Sequence, residues 1–337
     1  MNSYQAQKIE SAWSPDLASD LKDFYVVGVV SNPVRFKSRY SLTEKFIDHM
    51  RKTFPVFRTN FQIVELQQGE RPFAFEQPED LDRPILRLRT REEMWFKERM
   101  IVLGVQRLPI DWKYVCWIDM DVLFADSNWA HETWHQLQTY EVVQMFSHAI
   151  NLGPQGEYLS TQNGFVWSYH QNSFMPPNKY GMGGQHGADA YAYWHPGFAW
   201  ACTRQAFDGA GIIDFCVVGS GDYHMAYGLI GLSDWTIPKK IGERYRDEVM
   251  DWEMRALDCI KKNIGFTPGT LVHSFHGKKK DRRYIERWDI LFETDFDPDD
   301  DIYPDAQGLW RFAPDKTRLR DLVRGYFRVR NEDSIDL

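Results

Sequence analysis

Residues 23–33, DFYVVGVVSNP, contain a β-branched apolar run that Ser31, Asn32 and Pro33 bring to a stop, a pattern that predicts a buried strand ending in a loop. SLTEKFIDHMRKTF follows with apolar residues at helical spacing. It opens on Ser41 with Glu44 three residues later, the signature of a capping box. FQIVELQQG (61–69) predicts a second strand, and a polar, Pro-containing connection then leads to TREEMWFKERMIVLGVQRLP (90–109). In that segment Met94, Lys97, Glu98 and Ile101 fall at helical intervals, Thr90 and Glu93 give another capping box, and Pro109 closes the helix. YVCWIDMDVLF then predicts a strand, NWAHETWHQLQTY a helix, and EVVQMFSHAINLG a strand.

Strand and helix alternate from 24 to 150, which predicts an α/β fold with a mostly parallel sheet flanked by helices on both faces. Ligands of such sheets bind beyond the carboxyl ends of the strands. From 151 to 194 the periodicity is lost, and SFMPPNKYGMGGQHGADAYAYW is rich in Gly, Pro and Tyr, as expected of a lid or binding loop. FAWACTRQAFDGAGIIDF restores a strand and a short helix, and YRDEVMDWEMRALDCIKK predicts a longer helix. An acidic, turn-rich stretch then precedes DKTRLRDLVRGYFRVR, a basic amphipathic segment expected to close the chain as a packed helix. These shifts divide the chain into an N-terminal extension (1–22), a first half (23–150), a second half (151–292) and a C-terminal extension (293–337).

Composition narrows the options. With 43% hydrophobic and 26% charged residues among 337, the chain has the make-up of a globular protein with a sizeable core. Its 13 Trp and 16 Tyr suit stacking on sugars or bases, and large cores use aromatics equally well. The first residues lack the basic-then-apolar layout of a signal peptide, and no apolar run approaches the roughly 20 residues that cross a bilayer. The expectation is therefore a cytoplasmic protein. Four dispersed cysteines without a CxxC pair predict buried thiols rather than a zinc site. A net charge of −8 argues against a surface that coats nucleic acid, with one local exception. GKKKDRRYIER (277–287) holds six basic residues in eleven, either a solvated helix face or a seat for phosphate groups.

The chemistry-bearing pattern is VCWIDMDVLF (115–124), where two acids, Asp119 and Asp121, interrupt an apolar run at a predicted strand end. Residues i and i+2 of a strand share a side, so the two carboxylates are expected to converge. Bringing them together without a positive partner costs several kcal/mol, and a divalent cation is one such partner, with oxygen ligands selecting magnesium or manganese. The competing explanation has one acid capping the next turn and the other paired with an arginine.

An apolar strand ending in DxD after a β/α/β half resembles the metal-dependent, nucleotide-sugar glycosyltransferases of the GT-A fold. Two later segments occur in the order expected of the inverting members. HPGFAWACTRQAFDGAGIIDFCVVGSGDYHMA (195–226) resembles their acceptor-side region, and VHSFHGKKKDRRY (272–284) the segment that supplies a metal-binding histidine. The likeness spans roughly 24–290. It departs from the family in having Gly-Ser-Gly-Asp where many members carry Glu-Asp, and in offering two histidines for one role.

The resemblance implies a nucleotide-diphosphate sugar donor, UDP-linked, bound in the half 23–150, with an acceptor and catalytic half over 151–292 and Mn2+ (or Mg2+) as cofactor. By it, Asp121 is a direct metal ligand and Asp119 contacts the ribose or reaches the metal through water. His276 is preferred as the further ligand, with His273 second, and Asp222 is the general base. Ser31, Asn32, Arg35 and Arg39 fall where the nucleotide sits, with Lys97, Gly197 and Lys278 also on the donor side. Trp194, His195, Trp200 and Gly221 are expected at the sugar and acceptor pocket, core packing being the alternative for Trp200. The acceptor is a hydroxyl on a glycan or small molecule, or on hydroxymethylated DNA held by the basic run. A divalent-metal phosphodiesterase or phosphatase is the rival chemistry, and it demands more clustered ligands than the sequence offers.

Overall fold

The computed structural model describes residues 15–172 and 194–336. The strands of its two larger sheets are β1 (Phe24–Ser31), β2 (Phe61–Gln68), β3 (Leu86–Thr90), β4 (Tyr114–Ile118), β5 (Val122–Phe124), β6 (Val142–Gln144), β7 (His148–Leu152), β8 (Tyr158–Asn163), β9 (Ala199–Thr203), β10 (Ile264–Phe266) and β11 (Thr270–His273), and Ile302–Pro304 pairs with Trp310–Phe312 in a separate two-stranded sheet. Seven of them form one sheet in the order β10-β6-β9-β4-β1-β2-β3, parallel throughout except for β9, which runs against both its neighbours. β1 shows why the sheet is covered on both sides. Phe24, Val26 and Val30 enter one buried cluster with Phe46, Phe61 and Met145, while Tyr25 and Val27 enter the other with Val64, Met100 and Tyr227. A smaller sheet, ordered β5-β11-β7-β8, lies beside the carboxyl end of β4. Among the described residues no helix is long and apolar enough to cross a membrane.

Several local expectations are corrected. The run 114–124 is two strands in different sheets, with residues 119–121 forming the bend between them: the Asp119 N–H donates to Phe198 O (2.8 Å) and the Val122 N–H to Asp119 O (3.3 Å). Strand alternation therefore does not govern where Asp119 and Asp121 point. The run 141–153 divides in the same way into β6 and β7. The first long helix begins at Lys37, so Ser41 and Glu44 lie inside it, and its leading amides on Lys37 and Ser38 donate instead to the carboxylate of Asp333 (3.0 and 2.8 Å). A distant acid has taken the capping role.

Thr90 ends β3, and the next helix starts only at Lys97. β3 itself lies in what the pattern marks as connection, because Arg87 and Arg89 break its apolar run. Within 151–172 the chain forms β8 and a helix at Phe165–His170; the rest of the expected lid, 173–193, lies outside the described residues.

The helix Lys97–Val105 lies directly on β1 and β2 at Gly104, where a Cβ would stand 2.7 Å from Val27 Cγ1 and 2.9 Å from Val64 Cγ2. That close approach also fixes Lys97 and Glu98 at the other end of the helix. Gly104→Val should destabilise the fold by about 1–3 kcal/mol through overpacking. Urea unfolding checks this, and an unchanged midpoint would contradict the packing described.

Candidate active site

A cleft of about 200 Å³ opens at the carboxyl ends of β1 and β4, bounded by the 119–121 bend, the segment after β11, the start of the Lys97 helix and the C-terminal tail. Strand pairing assembles its chemistry. β11 runs antiparallel to β5, with His273 opposite Val122, and parallel to β7, with His273 opposite Asn151; the Ser274 N–H donates to Asp121 O (2.9 Å). His276 Nε2 consequently lies 3.0 Å from Asp121 Oδ2 and 3.2 Å from His273 Nε2. The turn through Gly277 (φ +84°) lets both histidines face the same point.

The amide of Asn151 donates to Ser160 and Gln162, which leaves its oxygen to accept from His273 Nδ1 (3.0 Å). With its proton on Nδ1, His273 presents a bare Nε2 lone pair towards His276. Burial lowers the His273 pKa to about 3, so the ring is neutral. Burial opposes ionisation of Asp121, but His276, His273 and Arg39 hold its carboxyl well below the usual range. Its Oδ1 is buried and has no hydrogen-bond partner among the described residues. One carboxylate oxygen and two imidazole nitrogens lie within 4.8 Å of one another, and Asn151 fixes a ligand tautomer from behind. This donor set, with an orphaned oxygen, fits a divalent cation.

Asp119 turns the other way and pairs with Lys97 Nζ at 2.5 Å. Burial raises its pKa to about 6, against the pull of Lys97 and with the push of Asp121. The next residue on the helix, Glu98, is buried beneath Gly221. Desolvation raises it to about 7, with Lys97 opposing and Asp222 adding to the shift.

Asp222 lines the same cleft, in the first turn of the helix Gly221–Gly228. The approach to that helix is strained: Gly219 has φ +89° and Ser220 +93°, a value that L side chains seldom adopt. Arg287, buried behind the turn, donates to Ser220 Oγ at 2.6 Å. A Cβ on Gly197 would stand 2.5 Å from Asp222 Oδ2, so only glycine allows the carboxylate its place. The Gly197 N–H donates to His195 Nδ1 (3.1 Å), and the His195 ring stacks on Phe198 at 3.7 Å and 1°. Burial keeps His195 neutral, with His273 and Lys279 reinforcing that.

Ser31, Asn32, Arg39, Lys97, Asp119, Asp121, His195, Asp222, His273 and His276 all line this cleft. Asn32 spends its side chain on the loop, donating to Phe36 O (2.8 Å) and accepting from the Phe36 N–H (2.9 Å). Arg35 is exposed and lies away from the cleft lining. Trp194 is a correction, since it belongs to the core, stacked on Tyr223; Trp200 takes the core-packing alternative, pointing from β9 into the buried face of the sheet with its Nε1 donating to Pro196 O. Gly221 is a packing position, since a Cβ there would meet Ile213 O at 2.8 Å. Lys278 lines an adjoining cavity and approaches Asp336 (3.8 Å). Of the basic run, Lys279, Arg282 and Arg287 line the cleft, and Arg282 donates to Tyr284 (3.1 Å).

Sequence reasoning missed Glu332, Arg330, Tyr326 and Asn151. Glu98, beside Lys97 at the start of the same helix, is marked by the helical spacing of that segment. Nothing in the sequence around Glu332 marks it as buried.

Comparison with protein-family models finds no match, nor does comparison with curated proteins. Among solved structures, the catalytic domain of Drosophila β1,4-galactosyltransferase 7 with xylobiose is 14% identical with a TM-score of 0.31, and 65% of each chain is covered. A mutant of that enzyme with manganese, UDP-Gal and xylobiose gives the same identity and score, over 65% of this chain and 66% of the other. The chain thus spans about two thirds of the length of those galactosyltransferase chains. A protein provisionally described as a nucleotide-diphospho-sugar transferase, from Desulfovibrio desulfuricans G20, is 11% identical with a TM-score of 0.32, over 93% of this chain and 99% of that one. The chain has a mixed α/β architecture with a large central sheet flanked by helices, and these structural neighbours are glycosyltransferases.

The Glu98 pKa of about 7 lies above the ordinary carboxyl value, so the folded state holds a proton that the unfolded state releases. Stability contributed by protonated Glu98 is present at low pH and is lost as pH rises towards 7. Glu98→Gln should match the parent near pH 4.5 and exceed it by on the order of 1–3 kcal/mol at pH 8. Urea titrations at the two pH values measure the gap; a gap that does not widen contradicts the assignment.

Proposed function

We propose that the cleft transfers a sugar from a nucleotide-diphosphate donor, UDP-linked, to a hydroxyl acceptor with inversion. The observation that carries this reading is the presence, in one cleft, of the Asp121–His273–His276 donor set and of Asp222 beside a strained turn. Asp121, His273 and His276 would hold the cation, and a mixed nitrogen and oxygen set suits Mn2+ better than Mg2+, which is bound mainly by oxygen. When bound, the metal supplies Lewis-acid stabilisation of the charge that builds on the leaving diphosphate.

The chain's own residues do the rest. Arg39, Lys279 and Arg282 give the same end of the cleft a cationic wall suited to phosphate oxygens. Asp119, steadied by Lys97, contacts the ribose. Asp222 accepts the proton of the acceptor hydroxyl at Oδ2, its Oδ1 already holding the Tyr223 N–H (2.9 Å). A single base opposite the donor implies one in-line displacement. In this reading 23–150 is the donor half and 151–292 the acceptor half. The rival two-metal hydrolysis needs a second ligand set, and among the described residues one group of this kind is found. Modified DNA is a second acceptor reading, favoured by Lys278, Lys279 and Lys280 around a cavity that adjoins His273 and His276.

Asp121→Ala should abolish Mn2+-dependent UDP binding while leaving the circular dichroism spectrum and melting temperature close to those of the parent. Calorimetric UDP titrations with and without Mn2+ decide this, and binding that stays metal-dependent would remove Asp121 from the site.

Asp222→Asn should lower turnover by about two to four powers of ten with donor affinity nearly unchanged. Proton NMR of the product should show the inverted anomer. Running neutral oligosaccharides beside hydroxymethylated DNA separates the acceptor readings. A retained anomer, or an Asn variant of undiminished rate, would sink the mechanism.

A further inference from the structure

We infer that Glu332, in the C-terminal tail, is a positioning residue of the metal site and that the tail acts as a strap holding it there. The inference rests on the metal reading above and assigns a task to a segment which that reading leaves unused.

Glu332 is only 2% exposed, although Asn331 and Asp333 on either side of it are exposed. Its carboxylate accepts from Arg39 Nη2 (3.0 Å) and Arg39 Nε, and Arg330 Nε lies 2.7 Å away. Its Oε2 lies 3.7 Å from His276 Nδ1. That nitrogen is on the far side of the ring from the Nε2 that faces Asp121 and His273. A ligating imidazole keeps its second nitrogen protonated and orients it on an acceptor, commonly a carboxylate. The Arg282 guanidinium is also near, 3.3 Å from Nδ1 and 3.0 Å from Nε2, but a guanidinium cannot accept a proton. Glu332 is the carboxylate facing Nδ1. At 3.7 Å it is a charge partner of that nitrogen rather than the 3.0 Å hydrogen-bond acceptor that Asn151 is for His273, and it fixes Arg39 on the cleft wall at the same time.

Three contacts place the tail. The Asp333 carboxylate accepts the Lys37 and Ser38 amides, and Ser38 Oγ donates to Glu332 O (2.9 Å). A Cβ on Gly277 would stand 2.8 Å from Asn331 O and 2.9 Å from Glu332 Cα, so the tail backbone lies directly on the turn that carries His276. The strap therefore joins the start of the helix Lys37–Thr53 to the histidine turn, with Glu332 at the junction.

The test is Mn2+ titration calorimetry on the full chain, with melting temperatures recorded for every variant. Glu332→Gln keeps the shape and removes the charge, and should weaken Mn2+ binding by about 10–100-fold at temperatures where the variant is fully folded. A merely structural role would lower the melting temperature and leave the Mn2+ affinity of the folded protein unchanged; that result overturns the inference. Should Glu332→Gln not fold, Asp333→Ala loosens the strap without touching the buried charges. It should weaken Mn2+ binding in the same direction by less, and an unchanged affinity there overturns the inference equally. A parent protein that binds no Mn2+ overturns the metal reading itself, and this one with it, which distinguishes the two failures.

Discussion

The register of β11 between β5 and β7 governs the site. His273 pairs with Val122 on one side and Asn151 on the other, and those two pairings bring a ligand to the acid bend and to a tautomer-fixing amide, each more than a hundred residues before it in the chain. Side chains alternate along a strand, so a slip of one residue would turn His273 from the cleft to the opposite face of the small sheet. The apolar partners hold the register: Leu271 is fully buried opposite Phe124, and Ala149 is fully buried beside it. The chemistry is polar, but hydrophobic burial positions it.

Charge balance is the second constraint. The cleft gathers Asp119, Asp121, Asp222 and Glu332 with Arg39, Lys97, Arg282 and Arg330, much of it buried. Leaving such groups unpaired costs several kcal/mol each, and most are paired locally: Asp119 with Lys97, Glu332 with Arg39 and Arg330. The exception is the Asp121 region, where a carboxylate oxygen lacks a partner and two imidazole nitrogens face each other. Polar groups are left incompletely satisfied at the point where a cation would complete them. Glu98 shows the other solution: without a full partner, it is pushed towards the protonated form.

Much of the fold was legible because β1, β2 and β4 carry apolar runs with clear stops, and because short-range order in a parallel sheet follows from strand and helix alternation. The DxD and HxxH segments were legible by residue type. Their geometry was not, since residues 119–121 form a bend held by a hydrogen bond from Asp119 to Phe198, a contact between segments far apart in sequence. Asp333 capping Lys37, and Glu332 reaching His276, are long-range in the same way; local propensity carries no trace of them. Trp194 and Trp200 illustrate the converse error. Aromatics near a site invite a stacking role, whereas Trp194 packs on Tyr223 in the core, and Trp200 sits on β9, a central strand that buries both its faces and so makes core packing the cheaper fate for a large side chain.

The wall bearing Asp222 is arranged by subtraction. Gly197 lacks a Cβ where one would strike the carboxylate, Gly221 lacks one where it would strike Ile213 O, and Gly219 adopts a positive φ beside Ser220, which pays the steric penalty that glycine avoids. Such strain persists only where surrounding contacts enforce it, and Arg287, buried and bonded to Ser220 Oγ, is the enforcing contact. Arg287, the last residue of the basic run, begins the helix Arg287–Thr294. The chain that leaves the histidine turn therefore passes along the cleft and then braces the turn that precedes Asp222. One short segment, 273–287, ties the histidines to that turn, so the placing of the donor set relative to the carboxylate depends on the geometry of that segment as well as on the sheet.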